Sequence, residues 1–119
     1  MFERILIANR GEIAARLART LRRLGADTVA VCVPGEETTV HVQACDTHVV
    51  LSSSAPDPYR DVAAIVRAAK DSGCQAVHAG YGLFDQGPEL ARALERAGLV
   101  HVGPLPELVV MLRDRAALR

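Results

Sequence analysis

Short apolar runs of strand length alternate along this chain with longer segments whose apolar residues recur at helical spacing. The first run is Ile5–Ala8. The next segment, Glu12–Leu24, repeats apolar residues on one helical face, namely Ile13, Leu17, Leu21 and Leu24. Continuous apolar runs of this length are typical of parallel strands that are buried on both faces. Their alternation with helices predicts an α/β fold around a parallel sheet.

The rest of the chain extends this pattern to five strands. We predict further strands at 28–33, 47–51, 76–78 and 99–102, and further helices at 40–45, 58–72, 88–97 and 108–118. Asp57 is placed to cap the third helix, with Pro58 at its first position. Crossovers between parallel strands are right-handed, so the sequence predicts a five-stranded, parallel, Rossmann-like three-layer sandwich. Residues 1–119 are expected to form one domain.

Composition narrows the classes of function. Half of the 119 residues are hydrophobic, which is enough for a single domain with a real core. Fourteen basic side chains balance fourteen acidic ones, so no basic excess points to nucleic acid or to an anionic membrane. We see no apolar run near the roughly 20 residues of a membrane helix, and no signal peptide. Three cysteines without paired spacing fit a reducing compartment, and we expect a cytoplasmic protein.

Ligands of open α/β sheets bind beyond the carboxyl ends of the strands. Three loops of unusual composition fall at that edge: Asn9–Glu12, Pro34–Glu37 and His78–Gly87. Gly80 and Gly82 have the spacing of the first two glycines of a dinucleotide-binding turn, but Asp85 stands where the third glycine belongs. Dinucleotide binding is therefore kept only as an alternative.

Metal binding and hydrolytic catalysis are two further functions that the sequence can be examined for. His41, Cys45 and His48 are spaced by four and three residues, and Cys74 precedes His78 by four. Such spacings can place two ligands on one helical face, but buried, unliganded cysteines are common in aliphatic cores. The chain has no Gly-Lys-Ser/Thr phosphate loop and no G-x-S-x-G turn. We expect no metal site and no catalytic residue.

A basic stripe runs along the first helix. Arg16, Arg19 and Arg23 lie at positions i, i+3 and i+7. The stripe is either a solvated face that complements the helix dipole or a protein–protein surface, where arginine is enriched. Its guanidinium groups repel one another, and we expect their acidic partners to lie outside this chain or in a second copy.

The octapeptide from Ile7 to Ala14 reads IANRGEIA and resembles the opening of the biotin carboxylase family. The resemblance continues in the family's order and spacing through a series of further positions: Arg16, Arg19, Gly25, 28–31, His41-Val42, Ala44, Asp46, Tyr59, Ile65, Ala76, His78, Gly80-Tyr81-Gly82 and Gly103-Pro104. It therefore covers nearly the whole chain.

This resemblance implies the N-terminal, pre-ATP-grasp domain of an enzyme that carboxylates biotin with ATP and bicarbonate. In the family, an ATP-grasp module that holds ATP and magnesium follows, and then a C-terminal domain. The sequence stops at Arg119, where that module would begin, so we expect both later domains to be absent. The chain alone is then expected to be inactive and to bind no cofactor, with the remaining carboxylase domains or subunits as its partners. The alternative is a divergent standalone domain that serves protein assembly or binds a small ligand.

The resemblance also assigns residues. It implies that His78, Gly80, Tyr81 and Gly82 form a loop near the biotin site, with Tyr81 facing the pocket; alternatively, Tyr81 packs under its own loop. Arg115 stands where the family has a lysine that approaches ATP. Asn9, Arg10, Gly11 and Glu12 form a structural motif.

Two departures from the family pattern carry consequences. The loop reads HAGYGLFDQG where the family usually has HPGYGFLSEN. The first helix contributes to dimerisation in the family, and Arg23 replaces an acidic residue there. We therefore expect a homodimer through this helix only with the help of missing segments, and a monomer for the bare chain.

Overall fold

The computed structural model of the protein describes residues 3–80 and 88–102. Its strands are β1 (Arg4–Ile7), β2 (Asp27–Cys32), β3 (Thr47–Val50), β4 (Ala76–His78) and β5 (Val100–Val102). Its helices are α1 (Gly11–Arg23), α2 (Val40–Ala44), α3 (Val62–Asp71) and α4 (Glu89–Arg96), with a 3-10 turn at Pro58–Arg60. The strands pair in parallel in the order β3-β2-β1-β4-β5. The predicted five-stranded parallel α/β fold is confirmed.

The sheet lies between two apolar layers. Ile5 and Ile7 of β1 pack with α1 and α2 on one face, whereas Leu6 and Ala8 pack with α3 and α4 on the other. All four side chains are fully buried. Successive strand residues point to opposite faces, so a strand covered on both sides needs an unbroken apolar run. This is the physical reason for the pattern seen in the sequence.

One predicted helix start is wrong. Asp57 accepts a hydrogen bond from the Tyr59 amide (3.2 Å), but it caps only the 3-10 turn. The α-helix α3 begins at Val62, and Asp61 is its N-cap, with a carboxylate oxygen 3.1 Å from the Ala64 amide nitrogen. Asp61 has extended backbone angles that separate the two helical pieces. The other predicted helices and strands agree within one residue at each end, and 108–118 lies outside the described residues.

A polar pair fixes the amino-terminal edge of the sheet, where β2 begins. The Asp46 carboxylate accepts from the Thr28 amide (2.8 Å) and from the Thr28 hydroxyl (3.0 Å). The Asp46 amide in turn lies 3.1 Å from the Thr28 carbonyl. Arg22 of α1 adds an ion pair to Asp46 at 3.3 Å. Because Thr28 is fully buried, its hydroxyl has no access to water as a substitute partner.

We expect Thr28→Val to lower the free energy of unfolding by about 1 kcal/mol, the net contribution of one buried hydrogen bond. Urea unfolding measures the change. The same substitution at exposed Thr38 is the matched control and should leave stability nearly unchanged. Equal stabilities for the two variants would show that the Thr28 hydroxyl contributes nothing.

Candidate functional site

The strand order of the sheet reverses its direction between β1 and β4, so the carboxyl edge of these two strands is a topological switch point. The chain leaves β1 toward α1 on one face, and the helix after β4 packs on the opposite face. In open α/β sheets, such a switch point opens a crevice in which ligands bind. Ile7 and His78 are register partners at the ends of these two strands. The residues that follow them, Asn9 and Ala79-Gly80, therefore meet at the crevice.

Two side chains hold the peptide that joins Ala79 to Gly80. The Asn9 side-chain amide donates to the Ala79 carbonyl (2.8 Å), and the Gly80 amide donates to Nδ1 of His78 (2.8 Å). The carbonyl and the amide belong to one peptide unit, so its orientation is fixed from both ends. The Ala8 amide also donates to the His78 carbonyl (2.8 Å), which carries the ladder beyond β1.

Gly80 is required by this close approach. Its φ is +65°, and a Cβ built on it would lie 2.9 Å from Nδ2 of Asn9 and 3.1 Å from a methyl carbon of Ile13. The chain after β4 thus lies directly against the first turn of α1. A side chain at position 80 would have to displace Asn9 or Ile13.

Gly80→Ala should destabilise the chain more than Gly98→Ala. Both glycines have positive φ, +65° and +76°, so each alanine carries backbone strain of about 1–2 kcal/mol. A Cβ at Gly98 meets nothing within 4 Å, whereas one at Gly80 adds an overpacking cost of about 1–3 kcal/mol. The midpoints of urea unfolding compare the two. A Gly98 variant as unstable as the Gly80 variant would contradict the close packing at Asn9.

His78 is a neutral hydrogen-bonding group in this site. Its side chain is 3% exposed, and Nδ1 accepts the Gly80 amide, so the ring carries its proton on Nε2. Within the described residues, Nε2 is buried without a hydrogen-bond partner. Burial, and then the charge of His101, lower the pKa of His78 from 6.5 to about 4. Protonation would also remove the acceptor that holds Gly80.

This shift predicts a loss of stability in mild acid. The unfolded chain binds a proton at His78 below about pH 6.5, whereas the folded chain resists protonation until about pH 4. The contribution is therefore complete above pH 6.5 and is lost as the pH falls toward 4, by up to about 3 kcal/mol. His78→Asn keeps an acceptor for the Gly80 amide and removes the titrating ring. Urea unfolding across this range should give a flatter profile for the variant, and parallel profiles would contradict the lowered pKa.

A second cluster joins the loops after β1 and β2 through His41. This residue of α2 is 2% exposed, and its Nε2 lies 2.9 Å from the Val31 carbonyl. Its Nδ1 accepts from the Gly11 amide (3.3 Å) and lies 3.2 Å from the Thr39 hydroxyl. Both ring nitrogens are thus engaged in ordinary hydrogen bonds. His41 ties α2 to β2 and to the first residue of α1.

Tyr59 completes this second cluster from the 3-10 turn. Its hydroxyl donates to Glu36 (2.7 Å), and the Arg10 guanidinium carbon lies 5.2 Å from the ring centroid, within cation–π range. The Tyr59 and His41 rings pack in an edge-to-face arrangement, with centroids 6.3 Å apart and an interplanar angle of 65°. Burial, followed by the hydrogen bond to Glu36 and its negative charge, raises the pKa of Tyr59. The sequence analysis did not predict the interaction between Glu36 and Tyr59, although Tyr59 is one of only four aromatic residues in the sequence, and this rarity is the signal that could have marked it.

The residues of the predicted structural motif, Asn9 to Glu12, make two different kinds of contact. Asn9, Arg10 and Gly11 join the carboxyl-edge contacts, whereas Glu12 turns along α1 and pairs with Arg19 at 2.6 Å. The expectation that the acidic partner of Arg19 lies outside the chain is therefore wrong. Seven residues make nearly two helical turns, which bring Glu12 and Arg19 onto one face.

The other arginines of the stripe keep to the helix surface. Arg16 and Arg23 are exposed, and Nε of Arg23 lies 3.4 Å from the Arg19 carbonyl, near the carboxyl end of α1. That position favours a cation because of the helix dipole. Tyr81, Gly82 and Arg115 lie outside the described residues, so their predicted roles remain predictions.

In residues 3–80 and 88–102, no three His, Cys, Asp or Glu side chains converge as metal ligands would. Cys32, Cys45 and Cys74 are free and buried, and burial raises the pKa of each thiol. In the same part of the chain, no helix is long and apolar enough to cross a membrane.

The fold defines an α/β domain in which Asn9, after β1, is hydrogen-bonded to Ala79, after β4, at the carboxyl edge of the sheet. Residues 1–109 match the family described as "Biotin carboxylase, N-terminal domain", and the chain belongs to this family. The resemblance read from the IANRGEIA motif is confirmed.

Curated relatives are several times longer than this chain. It is 40% identical over 116 residues to the mitochondrial methylcrotonoyl-CoA carboxylase subunit alpha of Oryza sativa subsp. japonica, covering 97% of this chain and 16% of that protein. It is 36% identical over 120 residues to the biotin carboxylase of Pseudomonas aeruginosa, covering 100% of this chain and 27% of that protein. The chain thus spans about a quarter or less of these relatives.

Solved structures agree with the family. The biotin carboxylase domain dimer of Hydrogenobacter thermophilus 2-oxoglutarate carboxylase, in complex with MgADP, ADP and bicarbonate, matches with a TM-score of 0.80 and 38% identity. That match covers 87% of this chain and 23% of the other. The pyruvate carboxylase of Rhizobium etli matches with a TM-score of 0.78 and 32% identity, over 87% of this chain and 10% of the other.

Proposed function

We propose that this chain acts as the N-terminal domain of a biotin-dependent carboxylase and contributes to carboxylation of biotin only together with ATP-grasp and C-terminal domains. The observation that carries the proposal is the match of residues 1–109 to the family, in a chain that covers only 16% and 27% of two relatives. The missing domains belong either to a longer protein or to separate subunits.

The described residues of the domain support a positioning role. Asn9 and His78 hold the Ala79–Gly80 peptide from both ends at the carboxyl edge of the sheet. In the complete enzyme, ATP and magnesium supply the activation of bicarbonate. This chain would supply the backbone frame that leads into Tyr81 and Gly82 beside biotin, and Arg115 near ATP. Its free thiols suit the cytoplasm.

A chimera tests the proposal. We replace the segment of the Pseudomonas aeruginosa biotin carboxylase that matches over 120 residues with this chain. The chimera should release phosphate from ATP in a manner that depends on biotin and bicarbonate. The bare chain should release none, because the proposal assigns the groups that stabilise a transferring phosphoryl group to the ATP-grasp domain. A phosphate-release assay measures both.

The matched control is a chimera that carries the corresponding domain of the Hydrogenobacter thermophilus carboxylase. If the control is active and our folded chimera is not, the chain is instead a divergent domain used for assembly or for small-ligand binding. Activity of the bare chain that Arg115→Ala abolishes would also contradict the proposal.

We further propose that any dimer through α1 needs segments beyond this chain. Arg19 is already paired with Glu12, and Arg23 adds a positive charge to the same surface. Two copies meeting through this surface would oppose like charges, which is unfavourable unless acidic groups intervene.

The bare chain should therefore sediment as a monomer at low micromolar concentration. Analytical ultracentrifugation provides the measurement, and Arg19→Glu serves as the comparison. A tight dimer of the unchanged chain contradicts this expectation. A dimer that also survives Arg19→Glu would show that the stripe is not the contact.

A further inference from the structure

Arg10, the residue that precedes α1, is an exposed side chain that rests on a buried aromatic ring. Its guanidinium carbon lies 5.2 Å from the centroid of the Tyr59 ring, within cation–π range. Tyr59 is 1% exposed, and its hydroxyl donates to Glu36 at 2.7 Å, so the ring is held by packing and by a hydrogen bond. The Arg10 backbone is held as well, because its amide donates to the Asn9 side chain (2.8 Å). Arg10 is therefore an exposed cation whose position is set by the buried part of the domain.

The charge of this guanidinium is not neutralised within the part of the chain that the structure describes. The ion pairs found there engage four other arginines: Arg4, Arg19, Arg22 and Arg60. Within the same residues, no N–H group of the Arg10 side chain donates a hydrogen bond to a protein acceptor. An arginine carries its donors in a planar fork that matches a carboxylate or a phosphate bidentately. Arg10 thus offers an unused oxyanion-binding group at the carboxyl edge of the sheet.

The surroundings of Arg10 favour a carboxylate of a protein over a free anion. The donor next to it along the chain, the Gly11 amide, is taken by His41 at 3.3 Å, so Arg10 would hold a free anion with a single side chain. The Glu36 carboxylate, which accepts from the Tyr59 hydroxyl, repels a multiply charged anion such as a nucleotide phosphate more than a single carboxylate. A carboxylate that belongs to a protein surface is brought to Arg10 by the other contacts of that surface, and one side chain then suffices.

An arginine that is ordered in advance is suited to a contact between protein surfaces. Tyrosine and arginine are among the residues that contribute most to such contacts. Ordering a long side chain during association costs free energy, and the contact with Tyr59 already restricts Arg10 in the unbound domain. Relatives continue well beyond this chain, which covers 16% and 27% of two of them, and so they offer further protein surface as a partner.

We propose that Arg10 is an interface residue between this domain and the domains that follow it in a complete carboxylase, where its guanidinium pairs with a side-chain carboxylate of one of those domains. The inference rests on the proposed function and adds to it the chemistry of the partner surface. Tyr59 and Glu36 are then the residues that keep the guanidinium in place.

Hydrogen exchange of the folded chimera, followed by mass spectrometry, tests the contact. Arg10→Ala should make exchange at least about tenfold faster in a segment contributed by the Pseudomonas aeruginosa enzyme, because it removes a hydrogen bond between charged groups. Exchange within β1 should stay unchanged, since the Arg10 side chain is exposed. Arg10→Lys keeps the charge but loses the planar fork, so it should change the same segment by a smaller factor.

Arg92→Ala is the matched control. Arg92 is exposed on α4, which packs on the opposite face of the sheet from α1, and its loss should leave the Pseudomonas aeruginosa segments unchanged. Arg10→Ala overturns the inference if it changes those segments no more than Arg92→Ala does. Changes confined to residues 1–119 overturn it too, because Arg10 would then serve this domain alone.

Phosphate release by the same chimera reports on the proposed function separately. An inactive, folded chimera in which Arg10→Ala still accelerates exchange beyond this chain contradicts the catalytic proposal and supports the contact. An active chimera without that acceleration supports the catalytic proposal and overturns the contact.

Discussion

The hydrogen bond from Asn9 to the Ala79 carbonyl is the interaction on which the carboxyl edge of this domain depends. Parallel strands whose connections leave to opposite faces must part at the switch point, and buried backbone groups there need partners. A nucleotide satisfies them in dinucleotide-binding folds. Here one asparagine, one histidine and one glycine satisfy them from within the chain. The backbone groups of the Ala79–Gly80 peptide are therefore satisfied by the chain's own side chains.

The apolar layers and the polar edge have separate tasks. Ile5 to Ala8 are fully buried, and the chain becomes polar at the next residue, Asn9. The apolar layers hold the strands together but permit the strand ends to adopt more than one direction, because hydrophobic burial is non-directional. The hydrogen bonds that Asn9, His41 and His78 make with backbone groups select one direction for the backbone at the strand ends. Under the proposed function, a fixed edge of this kind would let the domain present a defined surface to the other domains.

The sequence was sufficient to predict the fold because strand and helix periods alternate clearly, with glycines at the helix ends. It misplaced the start of α3 because Asp57 and Asp61 both cap a helical segment, and the extended backbone of Asp61 divides the 3-10 turn from α3. Asn9 was identified as part of a motif, but its partner is 70 residues away and no spacing rule connects them. Similarly, the hydrogen bond between Tyr59 and Glu36 depends on tertiary packing. The pairing of Glu12 with Arg19 is local, and its spacing of seven residues could have predicted it.

Side chains and backbone of this chain itself hold the loops after β1 and β4 where they meet, at Ala8, Gly11 and Gly80. Native-state hydrogen exchange at these three amides of the unchanged bare chain tests this, with Leu6 inside β1 as the reference. We expect Ala8 and Gly80 to be protected nearly as strongly as Leu6, and Gly11 to be protected well above the level of an exposed helix start. Exchange at all three amides near the rate of an unfolded peptide, with Leu6 still protected, would show that these hydrogen bonds do not hold the edge.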